Sequence, residues 1–177
     1  MDAFDVLGLA PSLELDPGLL EQRYRELQRQ LHPDKFVQAG SSARRESLSR
    51  AVSVNDAYRL LKDELKRAEL VFARLSNAPG EPEGDTAGPE LLMEIMELRE
   101  ELAAVRKRAD FARAEELRAQ VRGRQDAALG TLKRAFALPR EQLSAELRQQ
   151  AGQALSRLRY YRRFQDEVDA LHDDLVD

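Results

Sequence analysis

The sequence predicts an all-α protein with two halves, an N-terminal helical hairpin followed by a C-terminal three-helix bundle. Three observations predict it. Apolar residues recur at steps of three and four along every long segment, and none alternates as a strand would. Six of the fourteen residues 76–89 are Gly or Pro, which places a linker there between residues 1–75 and 90–177. The run Leu31-His32-Pro33-Asp34-Lys35-Phe36 cannot be ordinary helix: Pro33 lacks an N–H and turns His32 away from helical geometry.

The elements follow in order. Phe4, Leu7 and Leu9 suffice for one short helix, and Pro11 to Pro17 reads as a loop. Asp16-Pro17 is a helix start, Asp as the cap and Pro at the first helical position. From there Leu20, Tyr24, Leu27 and Leu31 form one apolar stripe that ends at Pro33. Gly40-Ser41-Ser42 begins the next helix, marked by Leu48, Val52, Asn55, Tyr58, Leu61 and Leu65. The two helices pair antiparallel across the 32–40 turn, since neither stripe would hold a helix in water alone.

Beyond Pro89 three amphipathic segments with short joints predict the bundle. The first covers about 90–109. The second covers about 111–137, through Ala114, Leu117, Val121, Ala128, Leu132 and Phe136. Leu138-Pro139 interrupts it. The third covers about 140–175, through Leu143, Leu147, Ala151, Ala154, Leu158, Tyr161, Val168, Leu171 and Leu175.

Composition narrows the function. Hydrophobic residues make up 42% and charged residues 34%, with 6% aromatic and no Trp, so the core must be mainly Leu, Ala and Val. The net charge of −4 and a pI near 5.4 disfavour a nucleic-acid partner. No apolar stretch is long enough for a bilayer, so no membrane partner is expected. The start Met1-Asp2-Ala3-Phe4-Asp5 is acidic where a secretory signal is basic, which suits a cytoplasmic protein. There is no Cys, and the two His lie at 32 and 172, so neither a metal site nor another cofactor is expected. His172 reads as a partly exposed residue near the end of the chain. No nucleotide-binding glycine loop, nucleophile elbow or paired acid and base is evident, so the chain is not read as an enzyme.

Two constellations point to protein partners. At the turn, His32, Pro33, Asp34 and Lys35 follow a helix that carries Arg25 and Arg29 beside its apolar stripe and Arg23 on the other flank. A basic strip that ends in one bare carboxylate suits an acidic groove on another protein, with Asp34 seeking an arginine there. The alternative is plain turn chemistry beside a solvated face. Beyond the linker, Leu91, Ile95, Leu98, Leu102 and Val105 fall within about 40° of one direction on a helical wheel. Leu92, Met93, Met96, Glu97 and Glu100 fall on the opposite side, where a bundle helix should be polar. An apolar patch edged with carboxylates reads as a contact surface, and Met suits an adaptable one. Burial beneath another segment is the bland alternative.

Residues 2–75 resemble a J domain, the module that stimulates ATP hydrolysis by DnaK-type chaperones. The likeness rests on Tyr24, Leu27, His32-Pro33-Asp34-Lys35-Phe36 and Val54-Asn55-Asp56-Ala57-Tyr58-Arg59-Leu60-Leu61. It implies that His32, Pro33, Asp34, Arg25, Arg29, Arg23 and Lys35 dock on the ATPase domain of the chaperone. The whole chain resembles the HscB family of iron–sulfur co-chaperones, a J domain followed by a three-helix bundle, through the segment Leu92 to Leu102. That resemblance implies an HscA-like chaperone and an IscU-like cluster scaffold as partners. It assigns Leu92, Met93, Met96, Glu97 and Glu100 to scaffold binding, joined by Tyr160 of Leu158-Arg159-Tyr160-Tyr161. Two positions depart from the family pattern: Ala104 stands at an acidic position, and Glu64 stands where relatives commonly carry proline. The rival readings are a J protein serving another client and a helical protein that self-associates through the 92–100 face.

Overall fold

The computed structural model describes all residues except 1, 37–39, 77–87 and 177. The expected linker at 76–89 thus falls mostly outside the described residues. Among the described residues the regular elements are α-helices and short 3-10 turns, without strands. The chain divides into two compact units, residues 1–75 and 76–177.

In the first unit, α1 spans Ala3–Leu7. Asp2 and Asp5 cap it reciprocally: the Asp2 carboxylate accepts from the Phe4 and Asp5 N–H groups, and the Asp2 N–H donates to Asp5 at 2.9 Å. Gly8 ends the helix at φ 63°, a left-handed conformation that favours glycine. Helix α2 covers Pro17–Gln30, and the Asp16 side chain accepts from the Gly18 N–H at 2.8 Å, as the Asp-Pro start predicts. A 3-10 turn follows at Pro33–Phe36. Helix α3 then covers Ser41–Lys62 and α4 covers Glu64–Ser76. Phe4, Leu7, Leu13, Leu20, Val54, Ala57, Leu61, Ala68 and Val71 fill the core.

Helices α2 and α3 pair as the hairpin. The Tyr24 and Tyr58 rings stack at 4.2 Å, and the Asn55 side-chain oxygen accepts from Tyr24 Oη at 3.0 Å and Gln28 Nε2 at 2.6 Å. The expected stripe on α3 needs two corrections. First, Leu48 and Val52 are 63% and 52% exposed, and the buried line runs instead through Ser47, Val54, Ala57 and Leu61. Three successive steps of three, from Val52 to Leu61, each turn the stripe back by about 60°. Its beginning therefore points well away from its end. Second, the helix does not continue through Leu65. It breaks at Asp63, whose extended backbone (φ −81°, ψ 119°) starts α4. The Asp63 carboxylate accepts from the Lys66 N–H at 3.1 Å. Arg67 holds the Leu61 carbonyl at 2.5 Å and the Leu13 carbonyl at 2.8 Å. Side chains make this corner.

In the second unit, α5 covers Pro89–Arg108, α6 covers Phe111–Phe136 and α7 covers Ala145–Val176. Ala109 turns the chain between α5 and α6 at φ 50°, and Asp110 caps α6 by accepting from the Arg113 N–H at 3.0 Å. Beyond Leu138-Pro139 a 3-10 turn at Arg140–Gln142 precedes α7. The third helix starts five residues later than expected because the Ser144 hydroxyl caps it, accepting from the Leu147 N–H at 3.1 Å. Leu98, Leu102, Val105, Ala114, Leu117, Val121, Tyr161, Phe164, Val168 and Leu171 form one continuous core. Helices α6 and α7 make the most extensive pairing, and α5 is held by fewer contacts. Near the end of α6 the buried place goes to Ala135, and Phe136 is half-buried.

Candidate functional site

The hairpin corner is built from the backbone outward. Leu31 caps α2, and its carbonyl accepts from the Ser47 hydroxyl at 3.1 Å. Ser47 is 5% exposed, so this bond ties the end of α2 to α3 from inside. The Lys35 N–H donates to the His32 carbonyl at 3.0 Å and closes the turn. Asp34 then faces outward: its side chain is 84% exposed and that of His32 is 60% exposed. His32 Nδ1 lies 3.3 Å from the Asp34 N–H and 3.4 Å from the Asp34 carboxylate. These contacts are alternatives, because the first needs a bare nitrogen and the second a protonated one. In either form Asp34 keeps an open carboxylate face.

The cations behind the corner are not bare. Arg25 Nε donates to Glu21 at 2.7 Å, and Arg23 Nη1 donates to Glu26 at 3.0 Å. Arg29 Nε donates to the Arg25 carbonyl at 3.3 Å, and Lys35 is exposed. Glu21 also accepts from the Tyr58 hydroxyl at 2.5 Å from across the hairpin. That bond, with Arg25 second, holds the Glu21 carboxyl below its usual range, and the same bond raises the Tyr58 hydroxyl. Glu21 and Tyr58 therefore set where Arg25 is presented, a role that spacing alone did not suggest. Nor did spacing single out Ser47, a small polar residue in an apolar register.

The second constellation lies on α5. Leu91, Leu98, Leu102 and Val105 are buried, whereas Leu92, Met93 and Met96 are 51%, 64% and 63% exposed and Glu97 and Glu100 are exposed beside them. Ile95 is half-buried and Ala104 is exposed. Tyr160, on α7, is half-buried. Its ring stacks on Phe164 at 5.8 Å and meets Tyr161 edge-on at 6.1 Å. Burial raises its hydroxyl pKa, with Arg99 and Glu94 of α5 among the charges acting on it. Tyr160 thus packs partly against the core, while Leu92, Met93 and Met96 of α5 are more than half exposed.

One α5 side chain behaves unlike its neighbours. Glu94 Oε1 accepts from the Tyr161 hydroxyl at 2.5 Å and stands 2.9 Å from Arg124 Nη1, while Oε2 lies 3.9 Å from Arg157 Nε. Tyr161 is 2% exposed, and burial first, then the bond to Glu94, pushes its hydroxyl well above the ordinary tyrosine range. His172 is half-buried, as expected, and it is engaged: its Nε2 lies 2.5 Å from Glu115 and its ring 4.9 Å from that of Phe111. Among the described residues no group of three or more His, Asp or Glu side chains could hold a metal, and no helix is long and apolar enough to cross a membrane.

Comparison with known proteins adds independent findings. Residues 2–70 match the DnaJ domain model, and residues 87–169 match the HSCB C-terminal oligomerisation domain model. The chain is 32% identical over 177 residues to a co-chaperone protein HscB homolog from Aliivibrio salmonicida, covering 99% of each chain. It is 30% identical over 176 residues to another from Vibrio atlanticus, again covering 99% of each. The chaperone HscB from Vibrio cholerae superposes with a TM-score of 0.77 at 33% identity over 99% of both chains. The human co-chaperone HscB also reaches 0.77, at 26% identity over 96% of this chain and 81% of that one. With both family models occupying their own unit and relatives matched along nearly the whole chain, the chain belongs to the HscB family, the J-domain co-chaperones of iron–sulfur cluster assembly.

Proposed function

We propose that the first unit docks on the ATPase domain of a DnaK-type, HscA-like chaperone and promotes ATP hydrolysis there, while the second holds an IscU-like cluster scaffold and delivers it. The observation that carries the first half is the outward Asp34 carboxylate on a corner tied down from within by Ser47. His32, Pro33 and Asp34 supply the trigger, and Arg25, Arg29, Arg23 and Lys35 supply the basic approach. The chain contributes positioning and no bond-making chemistry of its own, in the cytoplasm. Two binding faces on one chain raise the effective concentration of scaffold near chaperone. The second half rests on the uncovered Leu92, Met93 and Met96 with Glu97 and Glu100 beside them, and on Tyr160 at their margin.

ATP turnover by an HscA-type chaperone with its scaffold tests the first half: Asp34→Asn should abolish stimulation while circular dichroism stays native. Full stimulation by that variant ends the assignment. Pull-down of the scaffold by Met93→Ala plus Met96→Ala tests the second, and undiminished capture removes it. The oligomerisation for which the C-terminal family model is named favours one further reading, self-association through the 92–100 face. Sedimentation decides it: a dimer dissociated by changes at Leu92 or Met96 makes that face a seam between copies.

A further inference from the structure

Helix α5 is apolar on two sides. Leu91, Leu98, Leu102 and Val105 point into the core, and Leu92, Met93 and Met96 lie uncovered on the other side. Hydrophobic burial alone discriminates poorly between these faces, since Leu and Met side chains gain similar amounts from leaving water. A helix of this kind, held by the fewest contacts in its unit, needs something directional to fix its rotation. Glu94 meets that need. On the helical wheel it sits about 50° from the middle of the buried stripe, at the edge between the two faces. Its Oε1 atom accepts a hydrogen bond from Tyr161 Oη of α7 at 2.5 Å and forms an ion pair with Arg124 Nη1 of α6 at 2.9 Å. Arg157 of α7 adds its guanidinium, 3.5 Å from Glu90 and 3.9 Å from Glu94. The Glu94 and Arg124 side chains are 22% and 29% exposed, so water only partly screens the contact.

The geometry points to Glu94 as the positioning residue of the scaffold-binding surface: its hydrogen bond from Tyr161 and its ion pair with Arg124 fix the rotation of α5 so that Leu92, Met93 and Met96 face outward. The inference rests on the reading of that face as the scaffold site. Glu94 does not itself belong to the exposed face. Rolling α5 to bury Met96 would strip the Tyr161 hydroxyl, inside the core, of its acceptor and pull the Arg124 and Arg157 cations away from their carboxylate. The clasp thus acts against the wrong rotation as much as for the right one.

The full-length chain permits a direct test, because it has no native Cys. Met96→Cys introduces a single thiol on the exposed face, and its labelling rate by a thiol reagent reports rotation without any partner. Adding Glu94→Leu, which removes the clasp but can still pack, should slow labelling several-fold. In the chain with native Met96, Glu94→Leu should weaken binding of an IscU-type scaffold about tenfold, or about 1.4 kcal/mol. Glu94→Gln, which retains an acceptor for Tyr161, should restore most of both. Unchanged labelling and binding in Glu94→Leu overturns the proposal. Equal loss in Glu94→Leu and Glu94→Gln with a matching fall in melting temperature also overturns it, since the residue would then be merely stabilising. If Met93→Ala plus Met96→Ala binds scaffold as the native chain does, the scaffold reading fails on its own, and labelling still decides the rotation.

Discussion

At the scale of single residues, the corner at 32–35 works by combining a rigid mount with a solvated tip. Pro33 forbids helix, Ser47 anchors the Leu31 carbonyl from within, and Asp34 is left to water. Ser47→Ala should therefore cost about 1–2 kcal/mol of stability by orphaning that carbonyl, read by urea denaturation. The same change should lower chaperone stimulation, because the mount loosens while the trigger is chemically intact. Tyr58→Phe isolates another contact: it frees Glu21 from the hairpin and returns the Glu21 carboxyl toward its ordinary range, upward, which NMR titration would read. The exposed tip was legible in the sequence because a proline constrains backbone whatever surrounds it. Ser47 and Glu21 were not, since their meaning comes from partners 16 and 37 residues away.

At the scale of helices, starts were easier to read than stripes. Asp16, Asp110 and Ser144 cap helices through bonds to residues two or three further on, so their effect is local. Asp16→Ala should lower stability by about 1 kcal/mol, and a thermal melt of the full chain would register it. Leu48 and Val52 misled because a pattern of threes and fours can precess, and only the placement of a partner helix reveals which arc is covered. On α5 the core stripe was legible, but whether the second apolar face stayed uncovered depended on α6 and α7. Leu117, fully buried among all three helices of its unit, should cost about 2–5 kcal/mol when changed to Ala.

At the scale of the whole molecule, the proposed function gives two cores two separable tasks. Asp34→Asn should leave scaffold binding at its native value, and Met93→Ala plus Met96→Ala should leave unassisted chaperone stimulation at its native value. Calorimetric titration and ATP turnover on the same preparations would check both. Acid should act unevenly. Arg74 of α4 binds Asp2 and Asp5 in the first unit and lies 5.6 Å over the Phe4 ring. The Arg74 bond depresses the Asp2 carboxyl, and the Asp2 N–H bond followed by Arg74 depresses Asp5. Depressed carboxyls stabilise the fold above their unfolded value and lose that contribution as pH falls through the folded one. The loss thus belongs below about pH 4. Arg74→Gln should flatten the fall in melting temperature between about pH 5 and 2, where a profile as steep as the native one would speak against the clasp.

The corner at Asp63 has one further consequence. A proline would make that bend obligatory, since no neighbouring change could give the ring an N–H. Here a capping carboxylate and an arginine that grips two carbonyls make it instead. Such a bend is erasable. With Asp63 and Arg67 both replaced by alanine, residues 41–76 become good material for one unbroken rod about 54 Å long. Straightening would pull Ala68 and Val71 off the core and part Arg74 from Asp2 and Asp5. The bend of the J-domain half is held by two polar side chains and could be lost by two point changes.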